Sequence, residues 1–422
     1  MRKKHSIGKF IIISIICAIF LCLTVFSFAL PSSQSDYDFM GFARAINLGI
    51  EYKGGTVYHY QVNNNTTESN VFNGGLSHNT ARIQKILSDN SYNANVYENG
   101  SEIVVELIEE YDPISIDEIV NTKPYFAIKS EAGEDAEVNI NPNMISDAYA
   151  TSEQGGVLIL MLTTEGQQQL ATITSSGSGS LYLFFGDKEI NMSYSQIIDQ
   201  NYLGVNVGNF DTANYYASEV MSSKYDASYT QTSVQTITAE VAKRNCIVAI
   251  VLTIALFVVC AGIITFKFKK LGLVGSLILL IALLAQIVLL QAVPIFVLTG
   301  PSLFASLLCL IVGTIAIYLM LNNMSKEYKM GKILTASVKF GYDKIWKMIL
   351  IMFVVMLIPS VITFFFGAYL VKHFAMALIC GVAVYALCTL LFTRFFTRWL
   401  TNITFKNKDY GFTREAHINE LK

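Results

Sequence analysis

Six apolar stretches, each about 20 residues long, constrain this 422-residue chain more than any other feature. The hydrocarbon core of a bilayer is about 30 Å thick and requires roughly 20 apolar residues in a spanning helix. Lipid offers no partner to unpaired backbone groups, so each spanning segment must be helical. The sequence therefore predicts an α-helical membrane protein with transmembrane helices at about 10–30, 246–266, 271–292, 299–321, 348–370 and 374–396.

The basic residues predict how these helices are oriented. Lys and Arg cluster before the first stretch, between the second and third, between the fourth and fifth, and after the sixth. The opposite connections, Val293–Leu298 and the Lys372–His373 corner, hold a single Lys. Cytoplasmic loops carry the excess of Lys and Arg, so both termini are predicted to be cytoplasmic. We expect the first stretch to remain as an anchor; a cleavable signal peptide is the alternative.

The predicted domains are 1–30, the cytoplasmic N-terminus and first helix; 31–244, an extracytoplasmic domain; 245–400, five helices; and 401–422, a cytoplasmic tail. Residues 31–242 hold 27 acids against eight bases, a net charge of −19. We interpret this acidity as a solvated surface, and we expect no nucleic-acid partner. None of the seven cysteines lies there, so disulfides do not hold this domain together.

The pattern of residues 31–244 is typical of an α+β domain. Strands are predicted at Gly55–Val62, Glu102–Ile108, Tyr125–Lys129, Val157–Leu162 and Ser180–Phe185, and helices at Asn79–Leu87, from Asp117 and at Thr164–Ile173. Gly186-Asp187 is predicted as a hairpin turn. Helices on one face of an antiparallel sheet are the expected arrangement.

Chemistry-bearing motifs are lacking in the sequence. The five histidines have no metal-ligand spacing, and no nucleophile lies beside a His and a carboxylate in a known motif. There is also no phosphate-binding loop. The sequence predicts neither an enzyme nor a metal or cofactor site.

Asn47–Val57 resembles the "LG-apolar-acid-apolar-x-GG" signature that follows the first span of SecD and SecF, accessory subunits of the bacterial Sec export machinery. Gly49, Glu51, Gly54 and Gly55 occupy its fixed positions. Glycine permits backbone angles that other residues avoid, so two turn glycines leading into a strand explain the pair without a ligand.

Further segments resemble SecD motifs in the same order along the chain. Gly208, Asn209 and Phe210 resemble the "GNF" return to the membrane-proximal subdomain, Pro301 lies in a motif like "LTLPG", and Gly367 ends one like "FFFG". The other matching segments are Asn99–Leu107, Thr163–Gly166, Gly186–Ile190, Gly331–Gly341 and Thr389–Arg394.

The resemblance to SecD implies more than the residues alone predict. It implies a ferredoxin-like extracytoplasmic domain, with a base at about 31–129 and 210–244 and a head at about 130–209. It also implies a multi-pass protein of the bacterial cytoplasmic membrane that assists late steps of preprotein export. Its partners would be a SecF-type subunit, the SecYEG channel, YajC and unfolded preproteins.

The intramembrane polar residues are where this sequence departs from the family. Alignment places Ile315 and Ile317 at the aspartate and asparagine of the fourth span, and Ile351 and Phe353 at the matching pair of the fifth. Ionisable groups in spans are costly and signal function, and the six predicted spans contain no Asp or Glu. We therefore expect that this subunit does not itself carry the translocated proton; either its SecF-type partner carries it or proton coupling is absent. A lipid or small-molecule exporter of the RND superfamily and a passive scaffold are the alternative functions.

Overall fold

The computed structural model describes residues 41–403 except 44, 64–68, 109–112, 134–135, 153–154, 176, 198, 200, 225–227 and 368, together with 19, 22–24, 28–30 and 37–39. Most of the predicted first span and residues 404–422 lie outside the described residues. The chain divides into two compact units, one of Met1–Lys53 with Ala239–Lys422 and one of Gly54–Thr238. The limits predicted for the extracytoplasmic domain, 31 and 244, enclose the second unit.

The secondary structure is numbered in chain order. The helices are α1 (Ile50–Lys53), α2 (Ser69–Asp89), α3 (Pro113–Asn121), α4 (Thr164–Thr174), α5 (Phe210–Ser223), α6 (Ala239–Gln291), α7 (Gly300–Lys329), α8 (Leu334–Phe366), α9 (Tyr369–Leu387) and α10 (Thr393–Ile403). The strands are β1 (Phe28–Leu30), β2 (Tyr37–Phe39), β3 (Gly55–Asn63), β4 (Ala94–Asn99), β5 (Glu102–Leu107), β6 (Phe126–Lys129), β7 (Val138–Ile140), β8 (Ile145–Thr151), β9 (Val157–Leu162), β10 (Ser180–Phe185), β11 (Lys188–Ser193), β12 (Tyr202–Asn206) and β13 (Ser228–Ile237).

Within the described residues, four long helices are apolar enough to cross a membrane, which makes this a multi-pass membrane protein. They are α6, α7, α8 and the run Tyr369–Thr401, in which the π-helical turn Cys388–Phe392 joins α9 to α10. Five of the six predicted spans lie in these four helices. The outward side chains of α6 and α8 are large and apolar, such as Val248 and Ile351 at 58% and 61% exposure, as a lipid-facing surface requires.

Helix α6 contains two predicted spans in succession. Lys269 interrupts it with a non-helical backbone (φ 49°, ψ −118°), and the two halves pack against each other. Thr265 and Ser276 share a hydrogen bond of 2.9 Å between their hydroxyls, and a Cβ on Gly272 would lie 2.4 Å from the Ile264 carbonyl oxygen. The predicted spans 246–266 and 271–292 thus form a tight helical hairpin whose turn is a single residue.

The first sheet of the Gly54–Thr238 unit has the strand order β13–β3–β5–β4, with every neighbouring pair antiparallel. Helices α2 and α3 pack on this sheet. Ile83 and Leu87 of α2 and Ile116 of α3 are fully buried against Tyr60 and Val105 of the strands. The chain order of this part is strand–helix–strand–strand–helix, and β13 follows after a long insertion.

The insertion forms two more antiparallel sheets, ordered β11–β10–β6–β7 and β12–β9–β8. A single hydrophobic core joins them, into which α4 inserts Leu170 and α5 inserts Ala213, Ala217 and Val220. The predicted hairpin turn at Gly186-Asp187 is confirmed, since β10 and β11 pair directly from Phe185 and Lys188 outward.

Two of the predicted helices are wrong at one end, besides the helix predicted from Asp117, which begins four residues earlier, at Pro113. The helix predicted at Asn79–Leu87 begins ten residues earlier, at Ser69, although Asn and Gly are poor helix formers. The helix predicted over about 10–30 does not reach residue 30, because Phe28–Leu30 is a strand paired with β2. The following Pro31 disfavours helical backbone at Leu30, which explains this second error.

Candidate functional site

Two of the motifs that resemble SecD meet in the Met1–Lys53 and Ala239–Lys422 unit. The Gly49 N–H donates to the Leu298 carbonyl oxygen at 2.9 Å, and the Leu298 N–H donates to the Asn47 carbonyl oxygen at 2.7 Å. These bonds form a parallel bridge between Leu48 and Leu298. We call this set of residues, Asn47–Glu51 with Leu298–Pro301, the signature junction.

Glu51 caps a membrane helix at this junction. Its Oε2 accepts a hydrogen bond of 2.6 Å from the N–H of Gly300, the first residue of α7. The first N–H groups of a helix have no partner within the helix, and the helix dipole makes that end positive. A carboxylate at this position therefore satisfies a donor and opposes the positive end at once.

The other donors at this helix end are also satisfied. Thr299 and Ser302 form a capping box, in which the Ser302 Oγ accepts from the Thr299 N–H at 2.8 Å. Pro301 needs no acceptor, because it has no N–H. Pro301 thus lies at a position where helix starts favour proline. Glu51 accepts a hydrogen bond from the one N–H of this helix end that the capping box does not satisfy.

Small residues bring the two segments of the junction into contact. A Cβ on Gly49 would lie 3.1 Å from the Leu298 carbonyl oxygen, and one on Gly300 would lie 3.0 Å from Glu51 Oε2. Helix α6 joins the same site, because Asn245 Nδ2 donates to the Glu51 carbonyl oxygen at 3.0 Å. The short helix α1 is therefore tied to the starts of both α6 and α7.

The remaining signature residues lie elsewhere and have separate local roles. Gly54 and Gly55 lead into β3 with φ of 87° and 139°. Asn209 caps α5, accepting from the Asp211 N–H at 2.8 Å, between Gly208 (φ 75°) and the exposed Phe210. Gly367 closes α8 by donating to the Thr363 carbonyl oxygen. Gly49, Glu51 and Pro301 thus meet at the signature junction, whereas Gly54, Gly55, Gly208, Asn209 and Phe210 belong to the Gly54–Thr238 unit.

The positions predicted to have lost the proton path are split between two environments. Ile317 and Phe353 are buried at 0% and 2% exposure in the apolar core of the helices. Ile315 and Ile351 are exposed at 47% and 61%. The assignment of these four positions to a former proton path stays a prediction.

A buried polar cluster lies between the helices instead. Gln286 is 1% exposed, and neither amide atom has a hydrogen-bond partner within the described part of the chain. A Cβ on Gly381 of α9 would lie 2.7 Å from Gln286 Nε2 and 2.5 Å from Cys309 Sγ. The fully buried Tyr385, one turn along α9, also has a hydroxyl without a partner among the described residues. Sequence reasoning missed Tyr385, because it is a single tyrosine within the apolar stretch 374–396.

Replacing Gln286 by methionine is expected to stabilise the protein. The two side chains have similar length, and the change removes a buried amide that no hydrogen bond from the described residues satisfies, a gain of about 1 kcal/mol. The measurement is the midpoint of thermal unfolding of the full chain in detergent. Thr314→Val is the matched control, because the Thr314 hydroxyl already donates to the Leu310 carbonyl oxygen at 2.7 Å. A lower midpoint for Gln286→Met alone would contradict this prediction.

Replacing Glu51 by alanine is expected to destabilise the start of α7 by about 1–2 kcal/mol, the usual cost of removing a helix cap. Glu51→Gln, which retains an acceptor oxygen, should lose less. Hydrogen exchange of the first turn of α7 measures the effect. The control is Glu240→Gln, an exposed acid in the first turn of α6, for which a change of a few tenths of a kcal/mol is expected. Equal hydrogen-exchange protection of the first turn of α7 in Glu51→Ala and in Glu240→Gln would contradict the capping role of Glu51.

Comparison with known proteins rests on structure alone. Neither a scan of protein-family models nor a search of curated proteins gives a match. A crystal structure of SecDF in a super-membrane-facing form matches with a TM-score of 0.63 at 15% identity over 95% of this chain. SecDF from Thermus thermophilus, described as a translocon-associated membrane protein, matches with a TM-score of 0.54 at 16% identity, also over 95%.

This chain covers 58% and 59% of those two SecDF chains, so it spans less than two thirds of their length. At 15% and 16% identity, the likeness is one of fold. It extends over the membrane helices and the three sheets of the Gly54–Thr238 unit. The protein is a multi-pass membrane protein with the fold of SecDF.

Proposed function

We propose that this chain is an accessory subunit of a Sec protein translocase that assists late steps of preprotein export across the cytoplasmic membrane. The observation that carries the proposal is a fold shared with SecDF over 95% of the chain. The signature junction supports it independently, because residues chosen for their resemblance to SecD form one helix cap through Glu51 and Gly300. Fold alone does not decide function, so the proposal rests on these two together.

The proposed topology has six transmembrane helices, with both termini in the cytoplasm and residues 31–244 outside. The unit β3–α2–β4–β5–α3–β13 has the chain order of a split βαβ domain, which supports a ferredoxin-like base. The inserted sheets would form the head, which then starts at β6 and not at the expected residue 130. In this proposal the outer domain holds emerging unfolded polypeptide and releases it by a conformational change.

The proposed partners are a SecF-type subunit, the SecYEG channel and YajC. The resemblance to SecD carries this proposal, and the fold shared with SecDF, a translocon-associated membrane protein, supports it. The side chains of Ile317 and Phe353 are apolar and are buried in the core between the membrane helices. Their burial there supports assigning the proton path to the SecF-type partner. Neutralising the partner's intramembrane acids should then abolish proton-gradient-dependent export. Full retention of that dependence would refute the assignment.

Photo-crosslinking in an export-competent system tests the main proposal. A photoreactive residue at Tyr149, which is 48% exposed in the Gly54–Thr238 unit, is expected to crosslink to a secretory precursor stalled in the channel. The same residue at Met330, 62% exposed beside the predicted cytoplasmic basic loop, is the control and should not crosslink to the translocated part. An absence of crosslinks from Tyr149 and from other exposed sites of that unit would overturn the proposal in favour of a passive scaffold.

A further inference from the structure

The Gly54–Thr238 unit contains a pocket of about 620 Å³ between α2, α5, the segment around Tyr125 and the β10–β11 hairpin. Its volume is within the range of ligand-binding sites, which is several hundred Å³. None of the motifs that resemble SecD accounts for it. Only Gly186, Asp187 and Lys188, at the hairpin turn, belong both to such a motif and to the pocket.

The pocket concentrates positive charge in an acidic domain. Five of the eight bases of residues 31–242 line it, whereas only three of the 27 acids do. The five bases are Arg82, Lys85, Lys123, Lys129 and Lys188, and the three acids are Asp89, Asp187 and Glu219. The lining thus carries a net charge of +2 within a segment whose net charge is −19. Such a local reversal of sign favours an anionic ligand.

Buried ionic contacts hold the wall of this pocket in place. Arg82 and Glu219 form an ion pair of 2.8 Å between side chains that are 1% and 4% exposed. The same carboxylate accepts from the Tyr125 N–H at 3.0 Å, and Arg82 also donates to the Thr122 carbonyl oxygen. These contacts join α2, α5 and the 122–125 segment, so the pocket is formed before any ligand arrives.

Aromatic side chains form the apolar part of the lining. The ring of Phe185 stacks on Tyr216 at 4.4 Å between centroids, and Lys129 Nζ lies 4.6 Å from the centre of the Phe184 ring. Tyr125 is 43% exposed at the pocket. Tyr215 also lines the pocket, and burial raises the pKa of its phenol to about 12. The lining therefore offers cations, aromatic faces and a hydroxyl together.

We propose that this pocket binds an acidic segment of unfolded polypeptide, with carboxylates near Lys85, Lys123 and Lys188 and an apolar side chain against Tyr125. This inference rests on the proposed function and specifies the class of substrate segment. A small inorganic anion would use the lysines but leave the aromatic lining and most of the 620 Å³ unused. The surrounding acidic surface repels acidic segments, so their binding is expected to be confined to this pocket.

Peptide binding to the purified full chain in lipid nanodiscs tests this inference. The probes are fluorescent unstructured peptides that contain two aromatic residues and four Glu, or four Gln instead. We expect the Glu peptide to bind at least about tenfold more tightly at low salt, with an advantage that shrinks as salt screens the charges. Lys188→Glu, at the exposed hairpin, should weaken only the Glu peptide, by about fivefold.

The control variant is Gln168→Glu with Gln169→Glu. Like Lys188→Glu, it makes the net charge more negative by two, but on the exposed face of α4, away from the pocket. It should leave the binding of both peptides unchanged. Equal affinity of the Glu and Gln peptides, equal weakening by the control, or displacement of the Glu peptide by inorganic phosphate at equal charge concentration would overturn the inference. Any of these results leaves the crosslinking of stalled precursors untouched, so failure here is distinguishable from failure of the proposed export function.

Discussion

Replacing Gly55 by alanine is expected to prevent the first sheet of the Gly54–Thr238 unit from forming. The Gly55 backbone has a φ of 139°, and an added Cβ would lie 2.0 Å from the Leu107 carbonyl oxygen. Thr56 is paired with Leu107 in the antiparallel β3–β5 ladder, so the clash falls on backbone that cannot rotate away. We expect a loss of at least about 4 kcal/mol, which is a large share of the stability of a typical domain.

The matched control is Gly100→Ala in the turn between β4 and β5 of the same sheet. Gly100 also has a positive φ, 67°, but an added Cβ meets nothing within 4 Å. Gly100→Ala should therefore lower the free energy of unfolding by only about 1 kcal/mol, the penalty for placing alanine in left-handed backbone. Circular dichroism and limited proteolysis of the full chain in detergent compare the two. Equal stability of both variants would mean that the sheet adapts, and the double glycine of the signature would need another explanation.

Sequence alone predicts the membrane helices well, because runs of about 20 apolar residues have few other structures available. It also places the turn of α6, because the gap between the second and third predicted spans, 267–270, contains Lys269. It does not predict that the turn is a single residue, since Lys269 is neither proline nor glycine. Sequence patterns do not predict strand β13, because most of its side chains are exposed and no apolar alternation marks it. The sheet needs β13 for its backbone hydrogen bonds with β3, which sequence patterns do not record.

The candidate sites, too, could be predicted from the sequence only in part. Resemblance picked out Gly49, Glu51 and Pro301 one by one, but the contact between Glu51 and Gly300 joins residues 249 positions apart. The basic pocket had no signal at all, since Arg82, Lys123 and Lys188 are isolated bases in an acidic sequence. Only the packing of α2, the 122–125 segment, β6 and β11 around one pocket brings such charges together. The composition of a domain therefore gives its average charge and not the charge of its pockets.

Breaking the buried ion pair between Arg82 and Glu219 is expected to cost about 3–5 kcal/mol, because each single change leaves one charge buried without its partner. In Arg82→Met the Glu219 carboxylate would keep the hydrogen bond from the Tyr125 N–H but lose its cationic partner. The double variant Arg82→Met with Glu219→Leu fills similar volume without charge, and it should lie within about 2 kcal/mol of the parent. The free energy of unfolding in a double-mutant cycle measures the coupling.

Lys85→Met provides the control one turn along the same helix. Lys85 pairs with Asp89, but their side chains are 32% and 58% exposed, so water replaces the lost contact and less than about 1 kcal/mol is expected. The cycle also tests the pocket, since the same pair joins α2 to α5. If Arg82→Met and Lys85→Met cost the same, water reaches Arg82 in solution, and the Arg82–Glu219 pair is not what holds the pocket in shape.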